Sequence, residues 1–351
     1  MHLKESLDGG CFIECVNHGR VSRLWNRRLP LSLDPLDDSR STSPVAIPVG
    51  MIEAILCAVS AITIPHVRRR FRRCAGMSGT ASLGDLDDLA FARLLADAAD
   101  RISLDLYQGA ELLVVTKPDR SEVSEADLAV EAALRRLLRT HRPEQGVLGG
   151  ERGAEGSQRV RWLIDPIDAT RNFVRGLEWW ATLLALDVDG RVEVAMVSAP
   201  AMGRRWWALQ GGGAWTTGPL DPTPRPLQVS GVVELADAYV VYGDLRGDPW
   251  LFELAERCWR ARGIGDFLMF CLLAEGVVDV AVGHDGERIC ELAAPMLLVT
   301  EAGGMLTDPA GRPWTEGQLA IASNGLLHAA VLAAIPPSAS RDPPPGTDRG
   351  G

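Results

Sequence analysis

The feature that most constrains the fold is an apolar run that leads directly into two aspartates around a proline. Residues 162–164 are apolar, and Asp165-Pro166-Ile167-Asp168 follows at once. Such a run predicts a strand that enters the protein interior. The proline biases Asp165 toward an extended backbone, so the strand should stay straight to its end and then turn sharply. The chain therefore has to place two carboxylates at the end of a buried strand.

The residues after this strand suggest what the carboxylates do. Asp168-Ala169-Thr170 can open a helix, so both carboxylates and the Ile167 carbonyl would lie around one point beside unpaired helix N–H groups. Carboxylate and carbonyl oxygens are ligands that Mg²⁺ prefers, and helix N-termini bind anions. The pattern predicts a metal-bridged phosphate site. The alternative is that Asp168 only caps the helix and Asp165 pairs with an arginine.

The chain ends differ from its centre in composition. The first 76 residues hold 11 Lys and Arg against 7 Asp and Glu, whereas the whole chain has a net charge of −10. We expect residues 1–83 to be an N-terminal extension that is disordered or absent from a native chain starting near Met77. Residues 84–335 form the predicted globular domain. The Pro- and Gly-rich residues 336–351 are expected to be a disordered tail. The apolar stretch from Met51 to Ile64 is shorter than the ~20 residues of a membrane span, which leaves a peripheral membrane helix as an alternative.

The periodicity of the central region predicts a layered α/β fold with mixed sheets. A helix should start at residues 86–88, and the residues from Ser124 to Asp127 match the start of a second helix. Two strands flank the turn signal Asp189-Gly190. The second half alternates between strand and helix patterns. The predicted elements after the second helix are strands at Val160–Ile164, Ala181–Val188, Arg191–Ser198, Arg204–Leu209 and Tyr239–Tyr242, helices at Trp250–Arg260 and Phe267–Glu275, a strand at Val277–Val282 and a helix at Leu292–Glu301.

Charge, cysteines and missing motifs exclude several classes of function. The net charge of −10 argues against nucleic acid as the main partner, because a phosphate backbone requires a basic surface. Seven cysteines without even spacing favour the reducing cytoplasm over a disulfide framework. The sequence contains neither a G-x-G-x-x-G nor a P-loop motif, which removes the usual support for a nucleotide-binding fold.

The stretch from Asp165 to Phe173 resembles the D-P-I-D-x-T-x-N-F motif of the inositol monophosphatase family of Mg²⁺-dependent phosphomonoesterases. Four further segments resemble family motifs in the same order: Val123–Asp127, Leu148–Glu151, Ile289–Ala294 and Glu301–Gly304. The resemblance covers roughly residues 84–335. It implies an αβαβα layered sandwich, with mixed sheets, that hydrolyses phosphate monoesters in the cytoplasm.

One branch of the family, the histidinol-phosphate phosphatases, fits best. The similarity rests on residues 172–176, 180–182, 198–201, 204–208, 265–267 and 271–276. The resemblance implies L-histidinol phosphate, a compound of histidine biosynthesis, as the substrate. It also implies two or three Mg²⁺ ions, with Mn²⁺ as a substitute, and a homodimer without a nucleic-acid or membrane partner. Trp206 and Trp207 also allow a simpler interpretation as strand packing.

The resemblance assigns roles to individual residues. The implied metal ligands are Asp127, Glu151, Asp165, the Ile167 carbonyl, Asp168 and Glu291, and the implied catalytic residues are Thr170, Glu151 and Asp127. The implied substrate and phosphate contacts are Asp168, Ala169, Thr170, Asp266 and Arg175. Asp266 either faces the cationic amine or imidazole of the substrate or serves as a helix N-cap.

The chain departs from the family pattern at five positions. Gly150 stands where the family has a metal-binding Glu, Ala169 replaces a Gly, and Cys290-Glu291 replaces Trp-Asp. His284 stands at an acidic position, although Asp285 and Glu287 are close by. Three functions stay open: hydrolysis of histidinol phosphate, hydrolysis of another phosphomonoester such as inositol 1-phosphate, and binding without catalysis in a degenerate paralogue.

Overall fold

The computed structural model describes the backbone of three N-terminal strands and most of the chain from residue 86 to residue 336. The described ranges are 2–5, 11–17, 20–24, 86–107, 112–116, 122–243, 249–284 and 286–336. The expected start near Met77 and nearly all of the expected tail lie outside them, so the predicted domain limits stay predictions.

Among the described residues, the predicted helices and strands occur in the predicted order, together with further elements that the sequence analysis did not predict. The helices are α1 (Asp88–Leu106), α2 (Glu125–His141), α3 (Thr170–Arg175), α4 (Pro249–Glu256), α5 (Asp266–Ala274), α6 (Ile289–Glu301) and α7 (His328–Leu332). The strands before the domain centre are β1 (His2–Glu5), β2 (Cys11–Asn17), β3 (Arg20–Leu24), β4 (Val114–Thr116) and β5 (Glu122–Ser124), and they form a sheet in the order β3-β2-β1-β4-β5.

A large and a small sheet make up the rest of the strands. The large sheet contains β6 (Gly146–Gly149), β7 (Gly153–Glu155), β8 (Val160–Asp168), β9 (Ala181–Val188), β10 (Arg191–Ala199), β11 (Arg204–Leu209), β12 (Gly213–Thr217) and β13 (Arg225–Pro226). Its order is β13-β12-β11-β10-β9-β8-β6-β7. The small sheet contains β14 (Tyr239–Tyr242), β15 (Arg260–Gly263), β16 (Val280–Val282), β17 (Met305–Thr307) and β18 (Ile321–Ser323), in the order β15-β14-β16-β18-β17.

The sheets and helices stack in five layers, which confirms the predicted αβαβα sandwich. Helices α1 and α2 share one core with Trp162 of the large sheet. Helices α5 and α6 cover the opposite face, where Leu163 belongs to the same core as Phe267 and Leu297. The other side of α5 and α6 packs on the small sheet, whose far face is covered by α4 and α7. Both sheets are mixed. In the large sheet β6 and β8 run parallel while β8 and β9 run antiparallel, and in the small sheet β14 and β15 run parallel while β16 and β18 run antiparallel.

Strand β8 is the central element for function, and it extends further than the sequence predicts. Its alternating side chains serve both faces of the large sheet, so Trp162 and Leu163 lie in different cores. The pairing with β9 is irregular between Asp165 and Asp168, where a bulge shifts the register. Pairing resumes at Asp168 opposite Ala181, which is why the strand continues past the predicted end at Ile164.

Elements that depend on a short local signal match the predictions, whereas boundaries that depend on distant pairing do not. The predicted hairpin turn is confirmed, with φ of 52° at Asp189 and 85° at Gly190, as a two-residue turn of this kind requires. The predicted helix over 250–260 is wrong at its end: α4 ends at Glu256, and Arg260 starts β15 beside β14. Helix α6 begins three residues earlier than predicted. Within the described residues, no helix has the length and apolar character needed to cross a membrane.

Candidate active site

The end of strand β8 holds Asp165 and Asp168, both nearly inaccessible to solvent at 5% and 8% exposure. The bulge between them turns the backbone. Asp168 Oδ2 accepts a hydrogen bond from the backbone N–H of Phe267 at 2.7 Å. Strand β8 is thus connected to the start of α5, 99 residues later.

The turn into α3 brings Thr170 beside this strand end. Ala169 is the N-cap residue, has a left-handed backbone (φ 64°), and makes no side-chain cap. The alternative in which Asp168 caps the helix is therefore wrong. The Thr170 hydroxyl lies 2.9 Å from the Ile167 carbonyl and 3.3 Å from Asp127 Oδ1. The first N–H groups of α3 have no acceptor within the helix, as at any helix start.

Asp127 reaches the site from the first turn of α2. Its Oδ2 accepts hydrogen bonds from the backbone N–H and the hydroxyl of Ser124, at 2.7 and 2.6 Å, and the two residues form the predicted capping box. Burial raises the pKa of Asp127 to about 7, with a further contribution from Glu151. The cap therefore fixes a carboxyl group that can exchange a proton near neutral pH.

Glu131 positions the loop that carries Glu151, and sequence reasoning missed it. Its fully buried carboxylate accepts hydrogen bonds from the backbone N–H groups of Glu151 and Arg152, at 2.9 and 3.2 Å, and from Arg135 Nε at 2.8 Å. A Cβ at Gly149 would lie only 2.2 Å from Glu131 Oε1, so the carboxylate needs glycine there. The available signal was the spacing of four residues from Asp127, which puts both carboxylates on one helix face.

Arg288 is a second residue that sequence reasoning missed. It precedes α6 and forms an ion pair with Glu291, with 2.6 Å between Nη2 and Oε1. Its Nη1 also donates to the carbonyl of Gly150 at 2.7 Å. Glu291 and the 150–152 loop are therefore joined through a guanidinium group. The i, i+3 spacing of Arg288 and Glu291 was visible in the sequence, but the contact with Gly150 was not.

The carboxylates influence one another electrostatically. Burial, followed by the charge of Glu291, raises the pKa of Asp165 well above its usual value, although Arg288 opposes the shift. Burial, followed by Asp266 and Asp165, raises the pKa of Asp168 in the same way. Protonation or a cation is needed to offset this repulsion.

This donor set fits a divalent cation in its chemistry. Buried carboxylates with raised pKa values and a nearby carbonyl are the hard oxygen donors that Mg²⁺ takes. No group of three or more His, Cys, Asp or Glu side chains in the described part of the chain is arranged closely enough to hold a metal as it stands. Ligands would therefore have to draw together when a cation binds.

Asp266 and Arg175 differ in how they relate to the carboxylates. Asp266 precedes Phe267, whose backbone N–H donates to Asp168, and its charge raises the pKa of Asp168. It is the first residue of α5 with φ of 56°, and Gly265 is the N-cap, which makes the N-cap interpretation of Asp266 wrong. Arg175 lies exposed in the last turn of α3. Among the described residues, no hydrogen bond or ion pair joins it to the carboxylates.

Trp206 and Trp207 lie on strand β11, where the sequence left open whether they contact the substrate or only pack within the sheet. Trp206 is fully buried and Trp207 is 6% exposed. Trp206 packs against Phe267, and its Nε1 donates to Glu275 at 2.5 Å. The two indoles belong to different cores on opposite faces of the large sheet. Strand packing therefore accounts for both.

Comparison with known proteins agrees with this geometry. The chain is 45% identical to the histidinol-phosphatase of Mycobacterium tuberculosis and 44% identical to that of Streptomyces coelicolor, in each case over 70% of this chain and 96% of the relative. Among solved structures, the IMPase of Thermotoga maritima superposes with a TM-score of 0.65 at 28% identity, over 71% of this chain and 96% of the other. The family model for inositol monophosphatases matches residues 87–339. A five-layered chain that gathers its carboxylates at the end of β8 thus belongs to the inositol monophosphatase family.

Proposed function

We propose that the protein hydrolyses L-histidinol phosphate to L-histidinol and phosphate in a Mg²⁺-dependent reaction. The proposed substrate rests on the sequence identity of 45% and 44% with two histidinol-phosphatases over nearly their whole length. The observation that supports the reaction is the buried carboxylate cluster beside Thr170 and the start of α3.

The cation would be held by oxygen donors around the end of β8. Asp165, Asp168 and the Ile167 carbonyl form the centre of the proposed site, with Glu151 and Asp127 beside them. Glu291 belongs to the same cluster, and Arg288 binds both of its carboxylate oxygens. Two or three Mg²⁺ ions are proposed, with Mn²⁺ as a substitute. When bound, Mg²⁺ neutralises phosphoryl charge and makes water more acidic.

The residues around Thr170 would accept the proton that the attacking water releases. The Thr170 hydroxyl can donate to Asp127 Oδ1, and in the metal-free chain burial raises the pKa of that carboxyl group to about 7, so Asp127 can accept a proton. Thr170 in turn can accept a proton from water, and Glu151 can orient that water. Backbone N–H groups at Ala169 and Thr170 would receive the phosphate oxygens.

Asp266 would select the organic part of the substrate. Histidinol carries an amine and an imidazole, and a carboxylate close to Asp168 offers a cationic group a favourable position. A polyol phosphate provides no such charge. Arg175 stays a proposed substrate contact. We further propose that the reaction takes place in the cytoplasm, on a homodimer, without nucleic acid or membrane.

A phosphate-release assay on a small panel of esters tests this function. The panel contains histidinol phosphate, inositol 1-phosphate and a simple aryl phosphate, each with Mg²⁺ and with EDTA. Release from histidinol phosphate only in the presence of Mg²⁺ is the expected result. Preferential turnover of inositol 1-phosphate would replace the proposed substrate. No release from any ester, with Mg²⁺ or Mn²⁺ present, would contradict the proposed reaction.

A further inference from the structure

Arg288 occupies most of the hydrogen-bonding positions of the Glu291 carboxylate. Its Nε and Nη2 lie 2.7 and 2.6 Å from Glu291 Oε1, and its backbone N–H donates to Oε2 at 2.9 Å. A carboxylate has about four lone-pair positions, so three of those of Glu291 are already taken. Glu291 cannot bind a metal strongly without releasing this arginine.

The guanidinium group also fills the space beside Gly150. A Cβ at Gly150 would lie 3.2 Å from Nη2 and 3.3 Å from Nη1 of Arg288, and Nη1 donates to the Gly150 carbonyl. A side chain at position 150 would therefore require the guanidinium to shift by a few tenths of an ångström. Arg288 and Gly150 are therefore in close contact, although 138 positions separate them in the sequence.

The arginine brings a fixed positive charge to the carboxylate cluster. It stands next to Asp165 and Glu291, whose negative charges act on it. Its side chain is 36% exposed, and that of Glu291 is 23% exposed, so the pair lies at the solvent side of the buried aspartates. A permanent cation at this point offsets part of the repulsion that a divalent ion would otherwise offset.

We propose that the Arg288 guanidinium takes the place of one divalent cation in the carboxylate cluster, so that Glu291 binds Arg288 instead of a metal. This inference rests on the proposed function in one respect, namely that a divalent cation binds at Asp165 and Asp168. It adds that the number of bound ions is set by Arg288 and not by the count of carboxylates alone.

Calorimetric titration of the full chain with Mn²⁺, after treatment with EDTA and its removal, tests the inference. The wild type is compared with Arg288→Met, and with Arg159→Met as a control that removes the same charge from an exposed ion pair at the far end of β8. We expect Arg288→Met to bind one more Mn²⁺ per chain, or to bind Mn²⁺ at least tenfold more tightly, while the control stays within twofold of the wild type. Unchanged or weaker binding by Arg288→Met would overturn the inference.

A second variant keeps the inference testable if Arg288→Met does not fold. Glu291→Gln retains a side chain of the same length. Because Glu291 is not a ligand in our assignment, the number of Mn²⁺ ions bound per chain should equal that of the wild type, although the lost negative charge weakens their binding. Loss of one bound ion would show that Glu291 is a ligand and would overturn the inference. Asp165→Asn separates the two proposals: if it binds Mn²⁺ as tightly as the wild type, the proposed metal site itself is wrong.

Discussion

Ala169 has a backbone conformation that its own side chain disfavours. With φ of 64° and ψ of 45° it lies in the left-handed region, which costs an L-residue with a Cβ roughly 1–2 kcal/mol. Glycine carries no such penalty. We therefore expect Ala169→Gly to raise the free energy of unfolding by about 1 kcal/mol, measured by urea denaturation.

A second alanine provides the control for this experiment. Ala129 lies inside α2, where glycine costs roughly 1 kcal/mol relative to alanine. Ala129→Gly should therefore lower the free energy of unfolding. If both variants were destabilised to the same extent, the left-handed conformation of Ala169 would not be the source of strain.

Asp168 is the residue on which the proposed cation site depends most. Asp168→Asn keeps the shape and an oxygen that can accept from Phe267, but it removes the charge. We expect the turnover number for histidinol phosphate to fall by more than about 100-fold, because loss of a metal ligand should exceed the effect of losing a supporting residue. In EDTA the variant should be at least as stable as the wild type, since repulsion with Asp266 and Asp165 is removed.

The matching control is Asp189→Asn in the exposed hairpin turn. Asparagine tolerates the positive φ of 52° at that position, so turnover should be unaffected. Near-normal turnover by Asp168→Asn itself would contradict the metal role of that residue.

Single residues were predictable where the signal is local. Asp165, Asp168 and Thr170 follow from a short segment, because a proline and a strand end determine where they lie. Asp127 follows from its helix-capping pattern. Arg288 could not be predicted, since its function depends on the space beside Gly150, which only the fold brings near. The helix face of Glu131 could be predicted from its spacing of four residues from Asp127, but its contacts with the backbone N–H groups 20 and 21 residues away could not.

Among the secondary-structure elements, the β6–β7 connection that carries Glu151 depends on α2. Glu131 of α2 holds two backbone N–H groups of this loop and pairs with Arg135, which is 4% exposed. Removing one partner of a buried ion pair typically costs about 3–5 kcal/mol. We expect Glu131→Gln to lower the free energy of unfolding by about 3 kcal/mol in urea denaturation and to reduce the turnover number, because Glu151 is no longer held in place.

An exposed arginine on the same helix is the control. Arg139 pairs with Glu155 and is 60% exposed, so Arg139→Gln should change the unfolding free energy by less than about 1 kcal/mol. If Glu131→Gln lowered turnover no more than this control did, the loop would not depend on Glu131.

The elements show the same division between local and distant signals. The capping box of α2 and the hairpin around Gly190 were correctly predicted because each signal lies within a few residues. The end of α4 was not, because Arg260 is drawn into a strand by pairing with Tyr239 of β14. Pairing across sequence cannot be read from a helical period.

At the scale of the whole molecule, the five layers determine where charge collects. The end of β8 lies in the large sheet, and both α5 and α6 begin close to it, with Asp266 and Glu291 in their first turns. Helix α2 brings Asp127 from the other side of the sheet. Carboxylates from three layers therefore converge on one strand end. Burying them together costs stability, and the cost should depend on pH and on metal.

In EDTA, where the protein is metal-free, the stability of the folded chain should depend on pH through these buried carboxylates. The pKa of Asp127 is about 7 in the folded chain and 3.8 in the unfolded chain, and those of Asp165 and Asp168 are raised as well. Between these two values the folded state binds more protons than the unfolded state, so the free energy of unfolding falls as pH rises from about 4 to about 7. Asp127 alone contributes on the order of 4 kcal/mol to this loss. The melting temperature in EDTA should therefore be higher at pH 5 than at pH 8.

Mg²⁺ should reverse the trend, because a cation binds the deprotonated carboxylates and stabilises the folded state more strongly as pH rises. Thermal unfolding by calorimetry at pH 5 and pH 8, with EDTA and with saturating Mg²⁺, gives four melting temperatures. The gain from Mg²⁺ should be larger at pH 8 than at pH 5, and Asp168→Asn should reduce that gain. Arginine lowers the pKa values of the exposed Glu155 and Asp189. Below about pH 4 these carboxylates become protonated and lose their ion pairs, so the stability of the folded chain should fall again. A melting temperature that rises steadily from pH 5 to pH 8 in EDTA would contradict the clustering of carboxylates, because buried acids whose pKa values are raised can only oppose such a rise.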